Sequence, residues 1–186
     1  MSHVFDPEVL HEIARKAGGL PFDDLTRVVV DEVQRAYPGH VDGRDEYIFN
    51  LTSGGCGMMK ILHASITEYL IIFGSAIGTE AFSGRYQMDI HDFVIKGEMR
   101  TYTDDRCGEC VVTRPGERAL LPRGRVKGWR IDEGTWMLEY GRGFLPSALP
   151  LALADVVLSA LDWRIVVQTF RIYGRHALRE LRQGKL

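Results

Sequence analysis

No stretch of the sequence is apolar for long enough to form a conventional membrane-spanning helix, which takes about 20 residues. The longest largely apolar run, Ala148 to Leu161, is interrupted by Pro150, Asp155 and Ser159. The N-terminus, Met-Ser-His-Val-Phe-Asp-Pro-Glu, has neither a basic flank nor an apolar h-region, so it does not read as a signal peptide. Cysteine is scarce. Three in 186 residues exclude a disulfide framework and point to a reducing compartment. An excess of positive charge is also missing: 23 Lys plus Arg stand against 25 Asp plus Glu, a net charge of −2, so no overall cationic field draws the chain to nucleic acid. What is present, 45% hydrophobic and 26% charged residues, suits a globular chain long enough to bury its own core.

Several catalytic signatures are absent too. The six histidines include no His-x-x-x-His pair and no His-x-His, so no metal site is expected. Cys107-Gly-Glu-Cys110 is a lone C-x-x-C in a polar turn between two expected strands, without the further ligands or the strand-to-helix context that zinc or redox chemistry needs. Gly54-Gly55-Cys56-Gly57 matches no phosphate-binding loop, and no Gly-x-Ser-x-Gly elbow occurs. No cofactor is implied.

The hydrophobic period divides the chain in three. From Asp6 to about Tyr37 it is helical: Asp6 reads as an N-cap with Pro7 at the first helical position, Gly18-Gly19 ends the first helix, and a second runs from near Asp23 to Tyr37-Pro38-Gly39. From Glu46 to about Tyr140, short runs rich in β-branched and aromatic residues alternate with turn dipeptides, the pattern of a small antiparallel barrel or sandwich. Met58 to Ser65 has helix-compatible composition, but flanking glycines favour extended chain. From Ser147 onward the period is helical again. Leu158, Leu161, Ile165, Val166, Phe170, Ile172, Tyr173 and Ala177 suggest one wide apolar face, and Arg164, Arg171, Arg175, Arg179 and Arg182 a basic stripe. The expected organisation is a single domain, 1–186: helical over 1–40, a β-barrel over 46–145, and two amphipathic helices over 147–186.

Three carboxylates, Glu68, Asp92 and Glu139, fall in apolar, strand-like surroundings. Strand alternation sets Asp92 on a face with Ile90 and Val94, and Glu139 on one with Met137. A carboxylate on a buried face is costly unless it is paired, hydrogen-bonded or protonated. Each is outward-facing or bonded to backbone, or else two of them meet inside a cage of Trp, Tyr, Met and Leu.

The stretches Leu62-His-Ala-Ser-Ile-Thr-Glu-Tyr-Leu-Ile-Ile-Phe-Gly-Ser-Ala-Ile-Gly-Thr-Glu, Ser83-Gly-Arg-Tyr, Trp136-Met-Leu-Glu-Tyr-Gly-Arg-Gly-Phe-Leu-Pro-Ser and Leu151-Ala-Leu-Ala-Asp resemble the family of fungal C-8 sterol isomerases and animal sigma-type receptors. Val4-Phe-Asp-Pro and Tyr37-Pro-Gly-His-Val match more weakly, and the resemblance runs from about Phe5 to about Glu180. It implies an α+β fold: a cupin-like antiparallel β-barrel carried on N-terminal helices and closed by two C-terminal helices that face a membrane. It implies a homotrimer, a peripheral membrane location, cytoplasmic or at the endoplasmic reticulum depending on the organism, and a chain that begins after the family's N-terminal transmembrane helix.

By that resemblance Glu139 and Asp92 are the pocket carboxylates; desolvation and the neighbouring charge keep one of such a pair protonated, so the two are expected to share a proton. Met59, Ile61, Tyr69, Ile71, Phe73, Tyr86, Ile90, Leu149, Ala152 and Tyr173 are its walls, and Trp129 matches a pocket tryptophan. The implied ligand is a sterol or terpenoid, with hydrophobic amines as inhibitors. In the fungal enzymes the pocket acid stands two residues earlier, where this chain has Ile90. Asp92 therefore follows the receptor, whereas Gly78-Thr79-Glu80 is similar to the isomerases. Three readings stay open: a double-bond isomerase needing no cofactor, a receptor without turnover, and an isomerase or cyclase of a non-sterol polyene.

Overall fold

The computed structural model describes residues 3–182 and 184. Helix α1 spans Pro7–Lys16, and its N-cap Asp6 accepts a hydrogen bond from the Glu8 amide at 2.8 Å. Helix α2 spans Phe22–Ala36 and stops two residues before Pro38. Ten strands follow: β1 Ile48–Thr52, β2 Gly55–Ala64, β3 Glu68–Ser75, β4 Thr79–Phe82, β5 Met88–Lys96, β6 Met99–Thr103, β7 Val111–Thr113, β8 Arg118–Leu121, β9 Lys127–Ile131 and β10 Thr135–Gly143. The chain closes with a 3-10 turn, Leu145–Ser147, then α3 Leu149–Leu158 and α4 Trp163–Arg182. The extended reading of Met58 to Ser65 holds, since 58–64 lies within β2.

The α+β architecture expected from the sequence is found, with one correction of detail. The strands do not close a single hydrogen-bonded cylinder. They form a six-stranded antiparallel sheet, ordered β1-β2-β3-β10-β5-β8, and a four-stranded one, ordered β4-β9-β6-β7. Both faces of the larger sheet are buried. On its outer face Leu62, Leu70, Ile72, Phe93, Ile95, Leu138 and Tyr140 pack under α1 and α2, with Leu10, Leu25, Val29 and Val33 fully covered. On its inner face Met59, Tyr69, Ile71, Phe73, Met88, Val94 and Met137 pack toward the smaller sheet and α4. Strand alternation produces this split: β3 sends Tyr69, Ile71 and Phe73 inward and Leu70 and Ile72 outward.

The N-terminal segment is fastened to this sheet through Glu68, whose side chain is fully buried. It accepts hydrogen bonds from the Val4 amide at 2.8 Å, the Phe5 amide at 3.5 Å and the Tyr140 hydroxyl at 2.8 Å. Glu68 is thus the carboxylate bonded to backbone.

The C-terminal helices differ from the expected pair of amphipathic elements. Helix α3 is apolar around most of its circumference, Asp155 being its one charged residue. Nor do the apolar residues of this region form one face. Leu161 adopts a positive φ of 52° between the helices, and Asp162 caps α4 by accepting from the Arg164 and Ile165 amides at 3.0 and 3.3 Å. Leu158 before the turn and Leu161 within it are exposed, as are Trp163, Val167 and Phe170 on the outer face of α4, while Thr169, Ile172 and His176 on its opposite face pack on the body. The arginine stripe divides likewise. Arg175 bonds Asp42 at 3.1 Å and Glu46 at 2.5 Å, and Arg179 donates to the His40 carbonyl at 3.1 Å, whereas Arg164 and Arg171 are exposed. Among the described residues no helix is long and apolar enough to cross a membrane.

Candidate functional site

Between the two sheets, under α3 and α4, lies a cavity of about 150 Å³. Two central strands of the larger sheet supply its acids. Glu139 on β10 and Asp92 on β5 are directly opposed in the antiparallel register, so both side chains leave one face of one sheet. Both are lining residues, and Asp92 is only 2% exposed.

Each carboxylate has a partner of its own. The Tyr69 hydroxyl donates to Glu139 Oε1 at 2.5 Å. Its ring fits because the residue opposite it is Gly141, where a Cβ would fall 2.2 Å from the ring. Asp92 Oδ2 accepts from the Lys127 ammonium, which reaches across from β9 of the smaller sheet. Each acid thus has a hydrogen-bond donor of its own, a phenol on Glu139 and an ammonium on Asp92.

Electrostatics separates the two acids. Burial, and then the charge of Asp92, push the Glu139 carboxyl up from 4.5 to about 7, against the opposing pull of the Tyr69 hydrogen bond and the Lys127 ammonium. Glu139 is thus substantially protonated at neutral pH. Burial also raises the Tyr69, Tyr86 and Tyr173 hydroxyls, reinforced by the nearby Glu139 charge, so all three remain neutral phenols.

Met59, Tyr69, Ile71 and Phe73 line the cavity from β2 and β3, Ile90 from β5, and Trp129 from β9. Tyr86 closes one side, Leu149 and Ala152 descend from α3, and Tyr173 from α4. Trp129 meets Phe73 edge-on, with ring centroids 5.8 Å apart. Ile61 is buried in the same apolar cluster, with Ile48 and Ile172, but lies outside the cavity wall. Sequence reasoning missed Lys127. The signal was its spacing of two from Trp129 and four from Ile131, since strand alternation puts all three on one face. Met137, Met88 and Leu145 are also among the lining residues.

Outside the cavity, Cys107 and Cys110 are exposed free thiols, and among the described residues no group of three or more His, Cys, Asp or Glu is placed to hold a metal ion. Beneath α4, Glu180 meets His40 Nδ1 at 2.9 Å and His63 Nδ1 at 3.6 Å. Burial, and then Arg179, push the adjacent His176 down to about 4, so that ring is neutral at physiological pH. This cluster fastens the helix that roofs the cavity.

Comparison with known proteins gives a consistent picture. A profile described as "ERG2 and Sigma1 receptor like protein" matches residues 1–185. The chain is 38% identical over 181 residues to a sigma non-opioid intracellular receptor 1 of Taricha granulosa, covering 96% of this chain and 81% of the relative. It is equally 38% identical over 187 residues to the C-8 sterol isomerase ERG2 of Gibberella zeae, covering 99% and 79%. Among solved structures, an RmlC-like cupin from Shewanella frigidimarina aligns with a TM-score of 0.47 at 15% identity, covering 56% of this chain and 90% of that one.

Proposed function

The chain belongs to the family of ERG2 and Sigma1 receptor like proteins, and from that premise we propose that it is an isomerase, needing no cofactor, that shifts a carbon–carbon double bond in a sterol or another terpenoid. The observation that carries this reading is Glu139, protonated near neutral pH inside an apolar cage with a second carboxylate directly across the strand pair.

Glu139 gives its proton to one alkene carbon, and the π pair forms the new C–H bond. The neighbouring carbon becomes a cation. Asp92 then takes a proton from the adjacent carbon, and that C–H pair becomes the new double bond. Between turnovers Asp92 loses its proton to solvent and Glu139 takes one up from it, which resets the site. A carboxylate already paired with Lys127 is a weak base, but a C–H beside a carbocation is acidic enough for one to suffice. Meanwhile the faces of Trp129, Phe73 and Tyr86 stabilise the cation.

The cavity lies beneath α3 and α4, whose Leu149, Ala152 and Tyr173 would meet a polycyclic substrate from above. The exposed face formed by Leu158, Leu161, Trp163, Val167 and Phe170, with Arg164 and Arg171 beside it, supports attachment to a lipid surface from which such a substrate is drawn. The protein is expected to co-sediment with anionic liposomes, and Trp163→Glu with Phe170→Glu to remain in the supernatant. Recovery of the wild type in the supernatant ends the idea of a lipid-facing roof.

The second reading is a receptor without turnover, favoured by an acid at position 92 rather than 90. Incubation with a Δ8-sterol in heavy water separates the two. Isomerised product with one deuterium at the protonated carbon is expected. Unchanged sterol across a panel of sterols and terpenoids leaves binding alone.

A further inference from the structure

Lys127 introduces a charge that a lipid-binding cavity does not obviously need. It is 9% exposed, and its backbone is held from both sides by Ser83: the Lys127 amide donates to Ser83 Oγ and the Ser83 amide to the Lys127 carbonyl, each at 2.9 Å. The side chain is thereby launched across the gap between the sheets onto Asp92. We propose that Lys127 is a built-in counter-cation that sets the ligand class of the cavity: it occupies the place at Asp92 that a ligand ammonium would take, and so makes the pocket select uncharged lipids over hydrophobic amines. This deepens, and rests on, the reading of the cavity as a lipid site.

The titratable groups lining the cavity are Asp92, Glu139, Lys127 and the phenols of Tyr69, Tyr86 and Tyr173. With Glu139 protonated, the charges of Asp92 and Lys127 cancel and the cavity is neutral. An amine entering it brings a desolvated positive charge beside Lys127 and finds no uncompensated anion. A neutral lipid meets no such penalty. Above about pH 7 Glu139 ionises, the cavity becomes net negative, and the exclusion of amines relaxes.

The test measures, by calorimetry, the affinity of N,N-dimethyldodecylamine and of the uncharged dodecyl methyl ether, both kept below their aggregation concentrations. The wild type, Lys127→Met, and the double variant Lys127→Met/Asp92→Asn are compared at pH 6. Lys127→Met is expected to bind the amine about tenfold or more tightly, with the ether changed by less than about threefold. The double variant should lose that gain. An unchanged amine affinity, or amine and ether moving together, overturns the proposal. If unpairing Asp92 prevents folding, the unaltered protein decides: its amine affinity should rise between pH 6 and pH 8 while that of the ether stays level, and a level amine profile is fatal. Sterol turnover is scored separately. An amine shift without turnover removes the isomerase reading alone, turnover with unaltered amine selectivity removes this inference alone, and failure of all three proteins to bind either probe removes both.

Discussion

Glu139→Gln is expected to lower double-bond isomerisation by about 10²–10⁴-fold, the usual contribution of a positioned general acid. The amide keeps the volume of the side chain and can still accept from the Tyr69 hydroxyl, but it has no carboxylic proton to give. The same substitution should leave the fold intact and change how it depends on pH. The folded carboxyl sits at about 7 against an ordinary 4.5, so between those values the native state binds more protons than the unfolded chain. Wild-type stability therefore falls as pH rises through that window, by about 2–3 kcal/mol in all. Denaturant unfolding at pH 5 and pH 8 should show this decline in the wild type and not in the glutamine variant. Full activity in Glu139→Gln refutes the proposed acid; an equal decline in both proteins assigns the pH dependence to other groups.

Glu68→Ala should cause a large loss of stability without touching the cavity. Glu68 is fully buried and gathers the Val4 amide, the Phe5 amide and the Tyr140 hydroxyl. Truncation leaves these donors without their acceptor. Buried groups deprived of a charged or strongly accepting partner cost about 1–3 kcal/mol each, with partial relaxation at the chain end, so about 3 kcal/mol is expected overall. For a chain of this length that lowers the melting temperature by roughly 6–12 °C. Thermal unfolding followed by circular dichroism measures it. A shift below about 2 °C, under 1 kcal/mol on the same scale, would mean that the N-terminal segment contributes little to the fold.

The contrast between these carboxylates marks how far the sequence can be read. Period and turn chemistry locate the helices that begin at Asp6 and near Asp23, and the strand-rich centre, because Pro7, Gly18-Gly19 and Pro38-Gly39 act locally. Alternation along β5 and β10 puts Asp92 with Ile90 and Glu139 with Met137 on their proper faces. Alternation says nothing about what stands opposite, however. That Glu68 receives backbone amides more than sixty residues away, while Asp92 receives an ammonium from another sheet, depends on strand order, which no local pattern encodes. The C-terminal region departs from its sequence pattern for a related reason. The pattern reads the apolar residues of 147–186 as one helical face, whereas the positive φ at Leu161 turns the chain there; Phe170 and Ile172, about 200° apart on α4, face solvent and body respectively.

Glu139 and Asp92 project from neighbouring strands of one sheet, and Lys127 answers from the other. A flat, rigid ring system lodged between the walls turns only one of its sides to both acids. On the proposed two-acid mechanism the hydrogen gained and the hydrogen lost would occupy the same side of the molecule, and a suprafacial rearrangement is expected, its new stereocentre set by which side of the ring faces the larger sheet.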